Sequence, residues 1–204
     1  MEQANAQRQQ QLLSWTSVRR YRAENPRLHR WGAATAEVQY TATGGKTFRI
    51  VDRSGSRTIV NRVIEPLLVA ERDNARPGAR AETDVSSRNY EFRLLEFDPA
   101  SSCWVFEALP RKPGKYHFRG KVWIDADSHG IRRIEGEPAR APSFWIRRSR
   151  FVHEYARFGE FWLPVRDHTE VQLLIFGRSA LHIEYGEHQW RPEEKGVSLM
   201  CPLL

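Results

Sequence analysis

The sequence has little of what most directly marks an enzyme, a disulfide-rich domain or a membrane span. Its 204 residues include two cysteines, Cys103 and Cys201, which are too few for a disulfide framework, so we expect two free thiols. The longest apolar stretches, 66–70 and 171–176, fall far short of the ~20 residues that a membrane helix needs. No G-x-S-x-G motif, phosphate-binding loop or paired-cysteine metal motif occurs. The sequence therefore favours a protein that binds something over one that catalyses a reaction, and it implies no cofactor.

No signal peptide is visible in this sequence, because polar residues follow Met1 without an apolar segment. The chain is therefore either cytosolic or starts after a removed leader. Its formal net charge of +7 is compatible with a nucleic-acid partner. However, most arginines are scattered singly between apolar residues, which is typical of a solvated strand face, and no nucleic-acid-binding motif accompanies them. We expect no nucleic-acid partner.

Hairpin patterns dominate the chain after residue 34. Residues 116–136 contain an alternating run, a polar turn at 125–130 and a second run that ends at Gly136. Aromatic and β-branched residues alternate in the same way, with glycine at the turns, in 151–158, 161–176 and 179–190. Two further hairpins are predicted over 36–52 and 90–109. Pro164 cannot donate a ladder hydrogen bond, so it predicts an edge or a bulge.

Two helices are predicted outside these hairpins. Residues 1–25 are rich in helix formers with a narrow apolar stripe, and a linker follows at 26–33. Residues 59–74 have helical apolar spacing, with Pro66 starting or kinking the helix. We expect this second helix to cover the apolar sheet face through Val63, Leu67 and Leu68. One domain is expected over 1–204, with a half-barrel over 34–190 and a tail over 191–204.

Two H-x-E pairs are the strongest candidate for a metal site. If residues 177–179 form a three-residue loop, five polar side chains share one strand face, and His168 lies opposite His188: His168, Glu170, His182, Glu184 and His188. A solvated strand face explains the same residues, so we expect no metal there. Residues 125–130 also imitate a calcium loop, but the twelfth position is Gly136 and not the required glutamate.

The segments F-R-G-K-V-W-I-D-A-D (118–127) and I-R-R-I-E-G (131–136) resemble a hairpin of the outer-membrane lipoprotein-sorting superfamily. This superfamily includes LolA- and LolB-like proteins and RseB/MucB-like sensors. Residues 158–165 (F-G-E-F-W-L-P-V) and 176–185 are similar to the superfamily's later strands, so the resemblance covers about 115–190. It implies an unclosed antiparallel half-barrel wrapped around helices, in a periplasmic or exported, non-enzymatic protein.

Our hypothesis from the sequence is a monomer that binds a lipid or lipoprotein acyl chain in an apolar cavity. A partner protein in the cell envelope and a peripheral membrane contact are compatible with this function. The predicted cavity wall comprises twelve residues of the central and last strands: Phe118, Val122, Ile124, Phe151, Tyr155, Leu163, Val171, Leu173, Ile175, Leu181, Ile183 and Tyr185. Two alternatives stay open, a sensor or interaction domain of the same fold with a self-filled core, and a metal-dependent hydrolase.

Overall fold

Ten antiparallel strands form one sheet in the computed structural model. It describes residues 14–41, 44–75, 84–114, 116–141, 143–159 and 161–191, without the side chains of 187, 188, 190 and 191. The strands are β1 (Ser14–Asn25), β2 (Arg30–Thr41), β3 (Gly45–Gly55), β4 (Tyr90–Asp98), β5 (Cys103–Pro110), β6 (Phe118–Asp125), β7 (Ile131–Pro138), β8 (Ile146–Phe158), β9 (Phe161–Leu173) and β10 (Gly177–Arg191).

The strand order is β3-β2-β1-β10-β9-β8-β7-β6-β5-β4. Strands β3 and β4 are the two edges and do not pair with each other, so the sheet is unclosed. The predicted half-barrel is therefore confirmed, and the predicted hairpins correspond to successive strand pairs. Because every pair is antiparallel, the β1–β2 and β9–β10 turns lie at one end of the sheet, which we call the tip end. The β4–β5 and β8–β9 turns lie at the other end, which we call the cavity end.

One helix covers part of the sheet, as predicted for 59–74. Three consecutive segments form it, Arg57–Ile59, a π-helical segment Val60–Ile64, and Glu65–Asn74, and we call the whole helix α1. The π-helical segment ends at Ile64, two residues before Pro66. Pro66 has no backbone N–H to donate, so it would interrupt a regular α-helix, and the wide π turn just before it allows the helix to continue. Leu68 is buried and Leu67 is partly buried, but the expected contact of Val63 is wrong. Val63 is 44% exposed, and Val60 and Ile64 point at the sheet instead.

Small residues of β2 let α1 approach the sheet closely. Gly32, Ala34 and Ala36 alternate along the inner face, by which we mean the face that α1 covers. A Cβ atom at Gly32 would lie 2.9 Å from Cβ of Ile59, so a larger residue there would push the helix away. Val60, Ile64 and Leu68 fill the space above these small residues together with Tyr21 and Ile183. This packing fixes α1 over β1, β2 and β3.

A second apolar cluster occupies the inner face of the other half of the sheet. Tyr90, Phe118, Val122 and Ile134 are its buried members, and Phe151 and Tyr155 pack against it. The Tyr90 hydroxyl accepts a hydrogen bond from the backbone N–H of Phe118 at 3.3 Å, which ties β4 to β6. This half of the sheet therefore fills its inner face with its own side chains.

The prediction of an N-terminal helix is wrong for every described residue of that segment. Residues 14–25 form β1, which pairs with both β2 and β10, and the predicted linker 26–33 holds a short 3-10 turn, Pro26–Leu28, and the start of β2. Positions 17, 19, 21, 23 and 25 of β1 are all buried. The alternation of β1 is not visible as apolar periodicity in the sequence, because three of its buried residues are polar: Ser17, Arg19 and Asn25. Arg191, the first residue of the predicted tail 191–204, ends β10, and residues 1–13 and 192–204 lie outside the described residues.

The loop predicted at 177–179 is also wrong in position. The β9–β10 turn is formed by Leu174, Ile175 and Phe176, so that Leu173 pairs with Gly177. Pro164 behaves as predicted, because the β8–β9 pairing shifts by one residue next to it. Cys103 is a buried free thiol, as expected, whereas Cys201 lies outside the described residues.

Candidate functional site

A buried arginine on β1 is the centre of an interior polar site. The Arg19 side chain is 1% exposed and lies next to the irregularity in the β1–β10 pairing. Its guanidinium group lies between two aromatic rings, 5.3 Å from the centroid of Trp15 and 4.5 Å from that of Tyr185. Desolvation alone would make such a buried charge very unfavourable, so it requires a counter-ion.

Glu71, near the end of α1, is that counter-ion. Its carboxylate accepts a 2.6 Å hydrogen bond from Nη1 of Arg19 and lies 3.5 Å from Nζ of Lys46 on β3. The Tyr21 hydroxyl donates to the other carboxylate oxygen at 3.4 Å. Burial, reinforced by the charge of Glu71, raises the pKa of Tyr21 well above its usual range, so Tyr21 stays a neutral donor. Helix α1 is thereby joined to β1 and β3 by polar contacts.

A second polar group faces the first from β9. Asp167 accepts a 2.6 Å hydrogen bond from the Tyr185 hydroxyl, and its other oxygen lies 2.7 Å from Nδ1 of His153 on β8. Burial raises the pKa of Tyr185 well above its usual range, and the charge of Asp167 raises it further. Tyr185 therefore connects the two groups, because its ring stacks on Arg19 and its hydroxyl binds Asp167.

A cavity of about 380 Å³ lies between these two groups, at the cavity end of the sheet. Its polar lining includes Arg19, Lys46, Glu71, His153 and Asp167. Its less polar lining consists of aromatic and aliphatic residues: Trp15, Tyr40, Ala75, Tyr155, Leu163, Pro164 and Tyr185. The cavity is thus amphipathic, with partnered charges toward α1 and β9 and rings between them. Its volume falls within the ~300–1,000 Å³ that is usual for small-molecule sites.

The predicted cavity wall is distributed over four places. Tyr155, Leu163 and Tyr185 line the cavity. Leu181 and Ile183 pack against α1, and four others belong to the second cluster: Phe118, Val122, Ile124 and Phe151. The remaining three are far from the cavity, with Val171 and Leu173 close to the tip end and Ile175 in the exposed β9–β10 turn. The structure thus gathers only part of the predicted wall around one open space.

The histidine-rich face is the outer face of the sheet, opposite α1. His168, Glu170, His182 and Glu184 share that face as predicted, but His168 pairs with His182 and not with His188. Their Nδ1 atoms are 3.1 Å apart, so one ring donates and the other accepts. Burial, with the adjacent imidazole, lowers the pKa of His182. No group of three potential metal ligands was found among the described residues.

The sequence hypothesis missed the charged part of the cavity. Arg19, Glu71 and Asp167 come from three distant parts of the chain, and none belongs to a recognised motif. One signal was present, because Arg19 falls in phase with Tyr21 and Ala23 on an alternating strand. An arginine in phase with buried residues requires a buried acid, although nothing in the sequence indicates which acid it is.

Comparisons with known proteins agree on the fold. No protein-family model matches the chain, and no curated protein matches it. A LolA superfamily protein from Nitrosomonas europaea superimposes with a TM-score of 0.53 at 12% identity, covering 94% of both chains. An outer membrane lipoprotein-sorting protein domain from Vibrio parahaemolyticus superimposes with a TM-score of 0.51 at 11% identity, covering 97% of this chain and 92% of that one.

These superpositions confirm the resemblance to lipoprotein-sorting proteins at the level of fold. The MucA/MucB structure from Pseudomonas aeruginosa aligns over 93% of this chain at 13% identity, with a TM-score of 0.27 that is too low to establish a shared fold. The fold is therefore LolA-like, and a shared fold does not by itself assign a function.

Proposed function

We propose that this protein is a non-enzymatic, cell-envelope binding protein that holds an acyl chain of a lipid or lipoprotein in the cavity beneath the end of α1. The observation that carries the proposal is the amphipathic lining of that 380 Å³ space. Trp15, Tyr155 and Leu163 offer apolar contact surface, and Lys46 offers a positive charge at 24% side-chain exposure. Such a lining suits a ligand with a hydrocarbon chain and a polar or anionic head.

The energetics of acyl-chain binding fit a cavity of this kind. Each buried CH₂ group contributes about 0.8 kcal/mol, so six to eight buried groups would supply about 5–6 kcal/mol before ordering costs. The head group would add a contact with Lys46. It would leave the Arg19–Glu71 pair intact, since these two side chains already bond to each other at 2.6 Å. The partnered charges therefore stabilise the cavity wall, and the Lys46 side chain, itself paired with Glu71, is 24% exposed at that wall.

The same geometry favours binding over catalysis. A general base or nucleophile works best with a pKa near the operating pH. Tyr21 and Tyr185 are shifted the opposite way, and both remain neutral hydrogen-bond donors to carboxylates. This argues against Tyr21 or Tyr185 acting as a general base or nucleophile at the cavity.

Ligand capture and a cavity-filling variant test the proposal. Native mass spectrometry of gently purified protein should show a co-purified lipid, and a fluorescent fatty-acid analogue should bind and be displaced by unlabelled fatty acid. Ala75→Trp places a large ring in the cavity and should reduce probe affinity at least tenfold. Val69→Trp is the matched control, because Val69 is on α1, which ends just before Ala75, and is 37% exposed. Equal probe binding by both variants would exclude this cavity as the site.

A sensor or interaction domain with a self-filled core is the second candidate. The second apolar cluster favours it, because Phe118, Val122 and Ile134 are buried against the protein's own side chains. In that case the wild-type protein would carry no lipid and would bind no probe, while its stability would be unaffected by added fatty acid. Stabilisation that increases with fatty-acid concentration would favour the carrier instead.

A further inference from the structure

Five large apolar side chains are exposed together at the tip end of the sheet. Phe144 is 76% exposed and Trp145 49%, just before β8. Leu174, Ile175 and Phe176, which form the β9–β10 turn, are 57%, 56% and 49% exposed. We call these five residues the apolar tip. A contiguous group of exposed apolar side chains on a protein surface is typical of an interaction site.

Backbone and side-chain contacts hold the tip residues in one place. The N–H of Leu174 donates to the Trp145 carbonyl at 3.0 Å, which joins the two segments. The Asn25 side chain donates to the Phe176 carbonyl at 2.9 Å, and Arg27 donates to that of Ile175 at 3.3 Å. The turn therefore presents its side chains outward because its backbone is tied to β1 and to the start of β8.

Arginines surround the apolar tip. Arg147, Arg148, Arg150 and Arg178 line a groove of about 720 Å³ beside it, which also contains Glu137 and Glu170. Arg27 adds a further positive charge at the β9–β10 turn. None of these five arginines takes part in an ion pair within the part of the chain that the structure describes. The tip is thus apolar at its centre and strongly basic at its edge.

We propose that the apolar tip docks on the surface of an anionic phospholipid bilayer. Aromatic and aliphatic side chains insert at the boundary between head groups and acyl chains, and tryptophan is favoured at that depth. The adjacent arginines then face the lipid phosphates, which attract basic residues over about a Debye length. The tip is at the opposite end of the strands from the cavity, so this proposal does not depend on the cavity ligand.

The apolar part of the proposal is tested by co-flotation with vesicles. Wild-type protein should float with vesicles of phosphatidylcholine and phosphatidylglycerol, and much less with phosphatidylcholine alone. Leu174→Ser with Ile175→Ser should lower the bound fraction at least tenfold without lowering the melting temperature, since both side chains are exposed. Leu94→Ser with Phe97→Ser is the matched control, since Leu94 and Phe97 are 52% and 43% exposed on the β4 edge, away from the tip. The control variant should float like the wild type.

The role of the arginines beside the tip is tested by substitutions that remove positive charge and by added salt. Arg147→Ser with Arg148→Ser should weaken binding to anionic vesicles on the order of 30-fold, and added salt should weaken wild-type binding in the same direction. The proposal is overturned if the wild type does not float, if it floats equally with neutral vesicles, or if the tip and control variants behave alike. A tip variant that changes only the oligomeric state in solution, with unchanged flotation, would assign the surface to a second copy of the chain and overturn it as well.

Discussion

Replacement of Glu71 by glutamine should expose how much the fold depends on one interior ion pair. Glu71→Gln keeps the size of the side chain but leaves the Arg19 guanidinium, 1% exposed, without its counter-ion. Removing one partner of a buried pair costs about 3–5 kcal/mol. We expect the lower end, about 3 kcal/mol, because the Glu71 side chain is 20% exposed and the Trp15 and Tyr185 rings still contact the cation.

Urea unfolding measures this loss. With an m value of about 2 kcal/mol/M, a loss of about 3 kcal/mol lowers the midpoint by about 1.5 M at unchanged m. Glu65→Gln is the control on the same helix. Glu65 forms a 2.8 Å ion pair with Arg53, and the two side chains are 34% and 51% exposed, respectively. This exposed pair should contribute no more than about 0.5 kcal/mol to the free energy of unfolding. Adding Arg19→Met to Glu71→Gln should recover much of the loss, since no unpaired charge remains. Equal midpoints for the two single glutamine variants would refute the reasoning.

Two further predictions concern the helix and the outer face. Leu68→Ala should reduce the free energy of unfolding by about 2–5 kcal/mol, because Leu68 is buried between α1 and the sheet. Val63→Ala, on the exposed side of α1, should change the free energy of unfolding by less than about 0.5 kcal/mol. Chemical denaturation of both variants compares them directly. Because burial lowers the pKa of His182, the unfolded chain binds its proton first, so stability should fall as the pH drops below about 6.5. His182→Gln should flatten this part of a stability-versus-pH profile, and an unchanged profile would contradict the assignment.

The strands that sequence reasoning identified are those whose inner residues are apolar. In β6 and β7, Phe118, Val122 and Ile134 alternate with polar residues, and the periodicity is visible in any short window. In β1 the inner positions include Ser17, Arg19 and Asn25, so the same periodicity is hidden. Arg19 is stable inside because Glu71, 52 residues away, binds it, and Asn25 because the Phe176 carbonyl and Ser179, more than 150 residues away, accept from it. Ser17 in turn accepts a hydrogen bond from Arg19. A local pattern carries no information about such contacts.

The last hairpin shows why a face can be predicted when a turn is not. The predicted loop lies three residues later than the observed one, so each pairing partner changes by six positions. Six is even, and successive residues of a strand alternate between faces, so the assignment of side chains to faces survives the error. Val171, Leu173 and Ile183 therefore share the inner face as expected, whereas Ile175 moves from the strand into the exposed turn. The error changes only which residues of β9 and β10 pair with each other. His168 therefore pairs with His182 and not with His188.

The separation of the cavity and the tip gives a prediction about how the two proposed sites work together. Arg19 of the cavity and Asn25 beside the tip are six residues apart on β1, so the nearest parts of the two sites are roughly 20 Å apart at about 3.3 Å per residue. A protein docked through its tip would present the cavity away from that bilayer, and the two binding events should be independent. We therefore expect the Leu174→Ser/Ile175→Ser variant to bind the fatty-acid probe with wild-type affinity in the absence of vesicles, and the Ala75→Trp variant to float with anionic vesicles as the wild type does. Loss of both activities in either well-folded variant would show that acyl-chain binding and membrane docking share one surface, which the positions of Ala75 and Leu174 at opposite ends of the strands argue against.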